Sequence, residues 1–329
     1  MGFEDFIGNQ RVVEVIRRHL RNHRFPNSVL FSGIEGVGKS ILALSVAKTL
    51  NCVLLSDNFC GHCSSCLRIS ENVHPDVKSV EPDGLFIKID QMREVSRDVF
   101  FRPFEGHKRV FIIDGAERLR EEAANSILKT LEEPPDSSVL ILITSRVDDL
   151  LSTILSRCQV FRFAPLPSSE LQTFLERKTE HTAESRALLS RIAGGSLGKA
   201  LTMDLDHYRA QREQNLGILE ACGDNFSYVA GAKAVSSWLD RRNGAEFEER
   251  GQLLCSLLRD IYLLKLDPAI PNTTHLDLRH RLLRLASLFS HERLAAAIFS
   301  FDRLEAGIRR NLNRSLGVDQ LLFRLAGVV

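Results

Sequence analysis

The chain has almost no net charge, since 43 lysines and arginines against 42 aspartates and glutamates leave +1 over 329 residues. With so little net charge there is no overall field to attract nucleic acid or a membrane surface, so any such contact depends on a local patch or a partner. No apolar run is long enough to span a bilayer. The first five residues are acidic and mixed, unlike a secretory leader. We therefore expect a cytoplasmic protein that makes no membrane contact.

Aromatic residues are also few, at 7% of the chain, and no stretch interleaves them with basic residues as a nucleic-acid-binding surface would. The chain has no internal repeat and no low-complexity tract. These absences argue against a standalone nucleotide switch that binds nucleic acid directly. The length leaves room for two or three domains.

A glycine-rich motif occupies residues 31–40, Phe-Ser-Gly-Ile-Glu-Gly-Val-Gly-Lys-Ser. Gly33, Gly38, Lys39 and Ser40 fit G-x-x-x-x-G-K-[ST], the pattern of a phosphate-binding P-loop, and Gly36 lies inside it. Glycines let backbone N–H groups turn toward phosphate oxygens, Lys39 suits the β- and γ-phosphates, and Ser40 offers a hydroxyl to Mg²⁺. A glycine-rich turn that matches by chance is the alternative. We expect ATP or ADP with Mg²⁺ here, and hydrolysis is a separate question.

Strand and helix patterns alternate around this loop. Apolar runs predict strands over 29–31, 109–114 and 139–144, and helical spacing predicts helices over 8–24, 41–50 and 119–131. Such alternation is typical of an α/β fold with a parallel sheet. Past a boundary at 163–167 the pattern is helical, with leucine-rich faces typical of a helical core. We predict domains over 1–165, 166–204 and 205–329.

Asp114 ends the second predicted strand, where a P-loop protein places an acid that holds Mg²⁺ through water. An aspartate that caps the next helix is the alternative. ATPases of this layout usually follow that aspartate with a glutamate that orients the attacking water, but here Gly115 follows it. Glu117 comes three positions after Asp114, near a helix start, where the helix dipole alone explains an acid.

Two polar positions further along have open roles. Thr144 and Ser145 end the third predicted strand with hydroxyls that suit either a γ-phosphate or a cap on the following chain. Arg157 stands between Ser156 and Cys158. It is either an ordinary solvated or ion-paired side chain or, in an oligomer, a finger that reaches the γ-phosphate held by a neighbouring subunit.

Four of the seven cysteines cluster in the pattern C-x₇-C-x₂-C-x₂-C, at Cys52, Cys60, Cys63 and Cys66. Four thiolates are the ligand set of a closed, tetrahedral structural Zn²⁺ site. An iron–sulfur cluster is a rival, although the ferredoxin spacing C-x₂-C-x₂-C-x₃-C-P is absent. A third possibility leaves Cys52 in a helix core and the other three as free thiols. Zinc is our prediction for residues 52–66.

Taken together, these motifs resemble the AAA+ clamp-loader subunits of bacterial DNA polymerase III. The resemblance covers about the first 200 residues and is carried by Gly8-Asn9-Gln10, the P-loop, the four-cysteine insertion, 110–114, the phrase Leu-Lys-Thr-Leu-Glu-Glu-Pro-Pro at 128–135, and Ser156-Arg157-Cys158. The segment that runs from Asn311-Leu312-Asn313 to Leu325 resembles the last helices of that family.

Two branches of this family carry the cysteine insertion, the gamma/tau ATPase motors and the delta-prime subunits. The segment His74-Pro75-Asp76 resembles delta-prime. Gly115 replaces the motor's glutamate, and Gly198 replaces the arginine of the motor's Gly-Ser-x-Arg phrase. The resemblance therefore favours the delta-prime branch, although an intact P-loop departs from its commonest pattern. An active motor is the alternative.

The resemblance implies a RecA-like AAA+ domain, a small helical lid and an all-α collar. It also implies a five-subunit assembly with gamma/tau and delta subunits that places the sliding clamp on primer–template DNA. In that assembly Arg157 would act in trans on ATP held by an adjacent motor subunit, while residues 132–135 would shape the subunit contact.

Overall fold

A computed structural model describes residues 2–54, 58–223, 244–308 and 314–326. The chain divides into two compact units, one of residues 1–180 with 193–202, the other of residues 181–192 with 203–329. Within the described residues, no helix combines the length and apolar character that crossing a membrane requires. The three predicted domains remain a prediction. The segment Asn311-Leu312-Asn313 lies outside the described residues.

The described strands belong to the first unit. They are β1 (Ser28–Ser32), β2 (Val77–Val80), β3 (Arg109–Asp114), β4 (Ser138–Thr144) and β5 (Gln159–Arg162). The helices of the same unit are α1 (Gln10–Arg21), α2 (Lys39–Asn51), α3 (Ser64–Ser70), α4 (Ile89–Asp98), α5 (Glu121–Glu132), α6 (Ser152–Leu155), α7 (Ser168–Lys178) and α9 (Leu197–Thr202); α8 (Ala183–Ile192) belongs to the second unit. A 3₁₀ turn at Ala116–Arg118 follows β3.

The five strands form one sheet in the order β2-β3-β4-β1-β5, and every neighbouring pair is parallel. All five carboxyl ends therefore lie at one edge of the sheet, which we call the carboxyl edge, and all five amino ends lie at the opposite, amino edge. The three central strands are continuous apolar runs buried on both faces by helices, as expected of a parallel sheet. The predicted α/β fold is confirmed.

The second unit is helical in its described part. It contains α8 (Ala183–Ile192), α10 (Leu205–Gly223), α11 (Gly244–Leu266), α12 (Arg279–Leu288), α13 (His291–Ile308) and α14 (Arg314–Ala326). The leucine-rich faces do form one core, which includes Leu254, Leu257, Leu258, Leu282 and Leu321. The prediction of a leucine-lined helical core is confirmed for these residues.

Candidate functional site

The predicted P-loop connects β1 to α2 at the carboxyl edge of the sheet. β1 ends at Ser32 and α2 begins at Lys39, so the loop leads directly into a helix N-terminus. Gly36 (φ +72°) and Gly38 (φ +100°) take left-handed backbone conformations that L side chains rarely adopt. This strand–loop–helix arrangement, with its unpaired N–H groups and positive helix end, is the physical requirement for an anion site.

Lys39 lies across the mouth of this loop. Its Nζ donates to the carbonyl oxygens of Gly33 (2.6 Å) and Ile34 (2.7 Å). Burial lowers the pKa of Lys39, while the negative charges of Asp114, Glu117 and Glu35 act in the opposite direction. The ammonium group is thus held at the loop among nearby acids, and an incoming phosphate would supply it with an anionic partner.

Ser40 and Asp114 are 74 residues apart in sequence and in direct contact in the fold. Ser40 Oγ donates to Asp114 Oδ2 at 2.5 Å. Asp114 reaches this position because β3 ends at the same edge as β1, with β4 between them. A hydroxyl beside a carboxylate at a P-loop is the ligand pair that Mg²⁺ needs, so the two residues fit the ion that the sequence predicted.

Glu117 contacts the end of β4 rather than only capping a helix start. Gly115 turns the chain with φ +79°, and the 3₁₀ turn after it brings Glu117 Oε1 within 2.6 Å of Ser145 Oγ, which donates to it. Burial would raise the pKa of Glu117, but hydrogen bonds from Ser145 and Thr144 hold it below its ordinary value. The carboxylate is therefore charged, and its field acts on Lys39.

Thr144 is fully buried at the carboxyl end of β4. Its Oγ1 accepts the backbone N–H of Arg146 at 3.1 Å, so it caps the following chain. Its carbonyl accepts the N–H of Gly33 at 3.3 Å. Thr144 thus adjoins the P-loop. Of the two roles that the sequence left open for its hydroxyl, the structure shows the cap on the following chain.

The segment that carries Gly198 packs directly on the P-loop. The N–H of Gly198 donates to the Gly36 carbonyl at 2.9 Å. A Cβ built on Gly198 would lie 3.0 Å from Gly36 Cα, and one built on Gly36 would lie 2.3 Å from Ser196 Oγ. Two glycines therefore permit this close approach of backbones, and a side chain at position 198 would crowd the loop. Lys199, one position later, is exposed.

Arg157 lies at the other edge of the sheet. β5 begins two residues after it, and the register pairs Gln159 with Val29, near the amino end of β1. Gly33 lies four residues after Val29 in the direction of β1, which is about 13 Å at 3.3 Å per residue. The step from Gln159 back to Arg157 adds to this distance. Arg157 is therefore remote from the P-loop of its own chain.

The cysteine group forms as the sequence predicted. One ligand atom from each of Cys52, Cys60, Cys63 and Cys66 lies within 4.8 Å of all the others. Cys52 caps the end of α2, and Cys63 caps the start of α3, where its sulfur accepts the N–H of Cys66. Residues 55–57, between the first two cysteines, lie outside the described residues.

These sulfurs fit a tetrahedral metal ion. Zn–S bonds of about 2.3 Å place sulfurs about 3.8 Å apart, and Cys60 Sγ and Cys66 Sγ are 4.0 Å apart. Burial disfavours the Cys63 thiolate, but N–H donors from Cys66 and Val53 outweigh this and lower its pKa to about 6. Burial raises the pKa of Cys66 to about 12. Four sulfurs this close repel one another as thiolates, so a divalent ion at their centre is the species that stabilises them.

Two contacts of these sites were not predicted from the sequence. The helix dipole was the explanation for Glu117, whereas the structure pairs it with Ser145. Arg157 had no predicted partner within its own chain, whereas its Nε and Nη2 contact Glu132 Oε2 at 3.0 and 2.9 Å. The only sequence signal for either contact was the presence of an acid near a strand or helix end.

Comparison with known proteins supports the resemblance to clamp-loader subunits. The family described as "DNA polymerase III, delta subunit" matches residues 8–167. The chain is 37% identical to DNA polymerase III subunit delta' of Bacillus subtilis over 49% of its own length and 49% of that protein. It is 33% identical to subunit gamma of Buchnera aphidicola subsp. Baizongia pistaciae over 61% and 56%, and 30% identical to subunit tau of Salmonella typhimurium over 86% and 47%.

The chain thus spans about half the length of the curated relatives it matches. Among solved structures, a DNA polymerase III gamma subunit-related protein of Thermotoga maritima aligns over 95% of this chain and 98% of its own, at 18% identity and a TM-score of 0.38. That low value says nothing about function. The sequence matches confirm the resemblance to clamp-loader subunits: residues 8–167 match the DNA polymerase III delta-subunit family, and the relatives above are subunits of DNA polymerase III.

Proposed function

We propose that this protein is a delta-prime-type, stator-like subunit of the DNA polymerase III clamp loader. It assembles with gamma/tau and delta subunits, and the complex places the sliding clamp on primer–template DNA. Its own contribution is Arg157, which stabilises the charge on the phosphoryl group of ATP bound to an adjacent subunit. The match of residues 8–167 to the DNA polymerase III delta-subunit family, the P-loop and the Ser-Arg-Cys phrase support these partners.

The observation that carries this proposal is the position of Arg157. An arginine at the amino edge of the sheet is too far from its own P-loop, at the carboxyl edge, to contact a phosphate bound there. If Arg157 contacts a nucleotide, that nucleotide is therefore held by another subunit. A guanidinium is the group best suited to this, since it is always charged and can donate two parallel N–H groups to phosphoryl oxygens.

The chain's own P-loop has the features of a nucleotide site that does not turn over. Lys39, Ser40 and Asp114 are placed to hold a nucleotide with Mg²⁺. Gly115 offers no base, and Gly198, which stands at the position of the sensor arginine, has no side chain and packs closely on Gly36. Bound ATP or ADP would then stabilise the fold of this subunit without being hydrolysed.

We further propose that Cys52, Cys60, Cys63 and Cys66 hold a structural Zn²⁺. The reason is chemical: four sulfurs that converge on one point with N–H donors behind them form a closed site with no open position for a substrate. Zinc there would stabilise the insertion between α2 and α3.

The proposal is tested by ATP turnover in the reconstituted loader. Arg157→Ala should lower clamp- and DNA-stimulated turnover by at least about tenfold at the site it serves, since trans arginines contribute far more than this elsewhere. Assembly, followed by gel filtration, should be unchanged. Arg177→Ala removes an exposed arginine at the end of α7 and should have no effect. Full turnover with Arg157→Ala would contradict the proposal.

One observation favours the alternative of an active motor. Glu117 is charged, lies beside Ser145 and Thr144, and acts on Lys39, so an acid is present near the P-loop despite Gly115. If Glu117 serves as the base, the isolated protein hydrolyses ATP and Glu117→Gln abolishes this. The stator proposal predicts negligible turnover by the isolated protein with or without that substitution.

A further inference from the structure

Arg157 is already fully engaged within its own chain. Its Nε and Nη2 both contact Glu132 Oε2, at 3.0 and 2.9 Å. Its Nη1 donates to the Thr153 carbonyl at 3.2 Å and to Ser156 Oγ at 3.3 Å. All three guanidinium nitrogens therefore have partners, through three hydrogen bonds from Nε and Nη1 and one ion-pair contact from Nη2.

This arrangement does not leave Arg157 ready to bind phosphate. A bidentate contact with phosphoryl oxygens needs two parallel N–H groups on different nitrogens, so it combines Nη2 with Nε or Nη1, and the N–H groups of Nε and Nη1 are already hydrogen-bonded here. Glu132 also neutralises the charge that would attract the phosphate and presents its own negative charge beside it. To act on a nucleotide, the guanidinium must exchange the carboxylate for the phosphoryl group.

The position of Glu132 supports a role directed at Arg157. It is the last residue of α5, where the helix dipole disfavours an acidic side chain. The end of α5 is fixed to the sheet, because Ser28 Oγ donates to the Leu131 carbonyl at 2.9 Å. Ile154, fully buried, anchors α6 just before Arg157. Both ends of the ion pair are thus held on fixed elements.

We propose that Glu132 is a resting-state partner that withholds Arg157 until the γ-phosphate of a neighbouring subunit competes for it. This inference rests on the proposed trans role of Arg157 and adds its regulation. The pair is half-exposed, with side-chain exposures of 30% for Arg157 and 57% for Glu132, so it is weak enough to exchange. Glu132 does not touch the nucleotide and acts only through Arg157.

The expected effect depends on the strength of such pairs. An exposed ion pair biases an equilibrium by roughly twofold to fivefold. Glu132→Gln keeps the size of the side chain but removes its charge. It should raise the basal turnover of the loader, without clamp or DNA, by about that factor, and reduce the ratio of stimulated to basal turnover accordingly.

The experiment compares basal and stimulated ATP turnover, with kcat and KM measured separately, in loaders that carry wild-type, Glu132→Gln, Glu133→Gln, Glu176→Gln, Arg157→Ala or the Glu132→Gln/Arg157→Ala pair. Glu133→Gln removes the same charge one residue along and reports any effect of charge at the expected subunit contact, while Glu176→Gln, which removes an exposed carboxylate on α7 outside that contact, should leave basal turnover unchanged. The double variant should match Arg157→Ala, because Glu132 acts only through that arginine. Assembly is checked by gel filtration for each variant.

The outcomes separate the two claims. Lower turnover with Glu132→Gln would overturn the inference, because Glu132 would then hold Arg157 in its active position. Unchanged turnover would also overturn it. No effect of Arg157→Ala would instead remove the proposed trans role on which the inference rests.

Discussion

The two edges of the central sheet differ in what they offer. The carboxyl edge brings Lys39, the hydrogen-bonded pair of Ser40 and Asp114, and the charged Glu117 together at the P-loop. The amino edge presents Arg157, which is half-exposed and pairs with Glu132 and the Thr153 carbonyl. Both edges carry groups suited to phosphate, but at opposite ends of the same strands.

Under the proposed function, this difference would separate nucleotide binding from catalysis within one chain. The parallel sheet would hold one nucleotide at its carboxyl edge without hydrolysing it, and Arg157 at the amino edge would supply charge to a second nucleotide held by a neighbouring subunit. If the two edges are independent in this way, substitutions at the carboxyl edge should impair nucleotide binding by this chain and leave the Arg157 edge intact.

The largest effect is expected from loss of a metal ligand, remote from nucleotide chemistry. Cys66 is fully buried within the sulfur group. Cys66→Ala should abolish bound zinc and cost at least about 3 kcal/mol of unfolding free energy, because structural zinc contributes directly to folding. Metal analysis and thermal unfolding measure both.

The matched control is Cys158→Ala, since that half-buried thiol lies outside the group and burial raises its pKa to about 12. It should retain a full equivalent of zinc. Full zinc content in Cys66→Ala would contradict the four-sulfur site.

A substitution inside the P-loop should weaken nucleotide binding at the carboxyl edge and leave the amino edge unaffected. Gly36→Ala adds a Cβ 2.3 Å from Ser196 Oγ at a backbone angle of +72°. We expect nucleotide affinity of the isolated protein to fall at least about tenfold, from left-handed strain of about 1–2 kcal/mol plus the clash. Binding of a fluorescent nucleotide measures it.

Gly84→Ala imposes the same strain, at φ +75°, with no atom within 4 Å of the added Cβ. Nucleotide affinity should be unchanged in that variant. Equal losses in both would show that strain anywhere in the fold, rather than the packing on Gly36, governs binding.

A smaller effect should result from an attempt to restore the missing arginine. Gly198→Arg places a side chain where a Cβ already lies 3.0 Å from Gly36 Cα. We expect nucleotide affinity about threefold to tenfold weaker and no gain of ATP turnover, because the side chain must displace the close backbone contact. Lys199→Ala, one residue along and exposed, is the control. Gain of turnover with Gly198→Arg would contradict the packing argument.

The sequence pattern predicted the central strands of the sheet but not its two outermost strands. The strands β1, β3 and β4 are continuous apolar runs, and they were predicted because burial on both faces removes any need for alternation. The strands β2 and β5 were missed. Each is four residues long and carries polar or exposed positions, because each is an outermost strand of the sheet with a neighbouring strand on one side only.

The candidate sites also combine motifs of short sequence spacing, which could be predicted, with contacts between residues far apart in the sequence, which could not. The P-loop and the four cysteines are short-range spacings, and sequence located both. The pairs Glu117–Ser145, Glu132–Arg157 and Gly36–Gly198 join residues 28, 25 and 162 positions apart. In the helical unit, Asp260 accepts N–H groups from His275, whose ring contacts Tyr208, and no pattern predicted this buried network. Only packing of the whole chain creates such contacts.

The most direct test of the separation between the two edges is Lys39→Ala in the assembled loader. The substitution removes the ammonium group at the P-loop and leaves the Arg157 edge intact. We expect the isolated variant to lose nucleotide binding, while the loader that contains it retains its stimulated ATP turnover. Turnover that falls as far as it does with Arg157→Ala would contradict the separation of the two edges, because the chain's own P-loop would then be a working catalytic site.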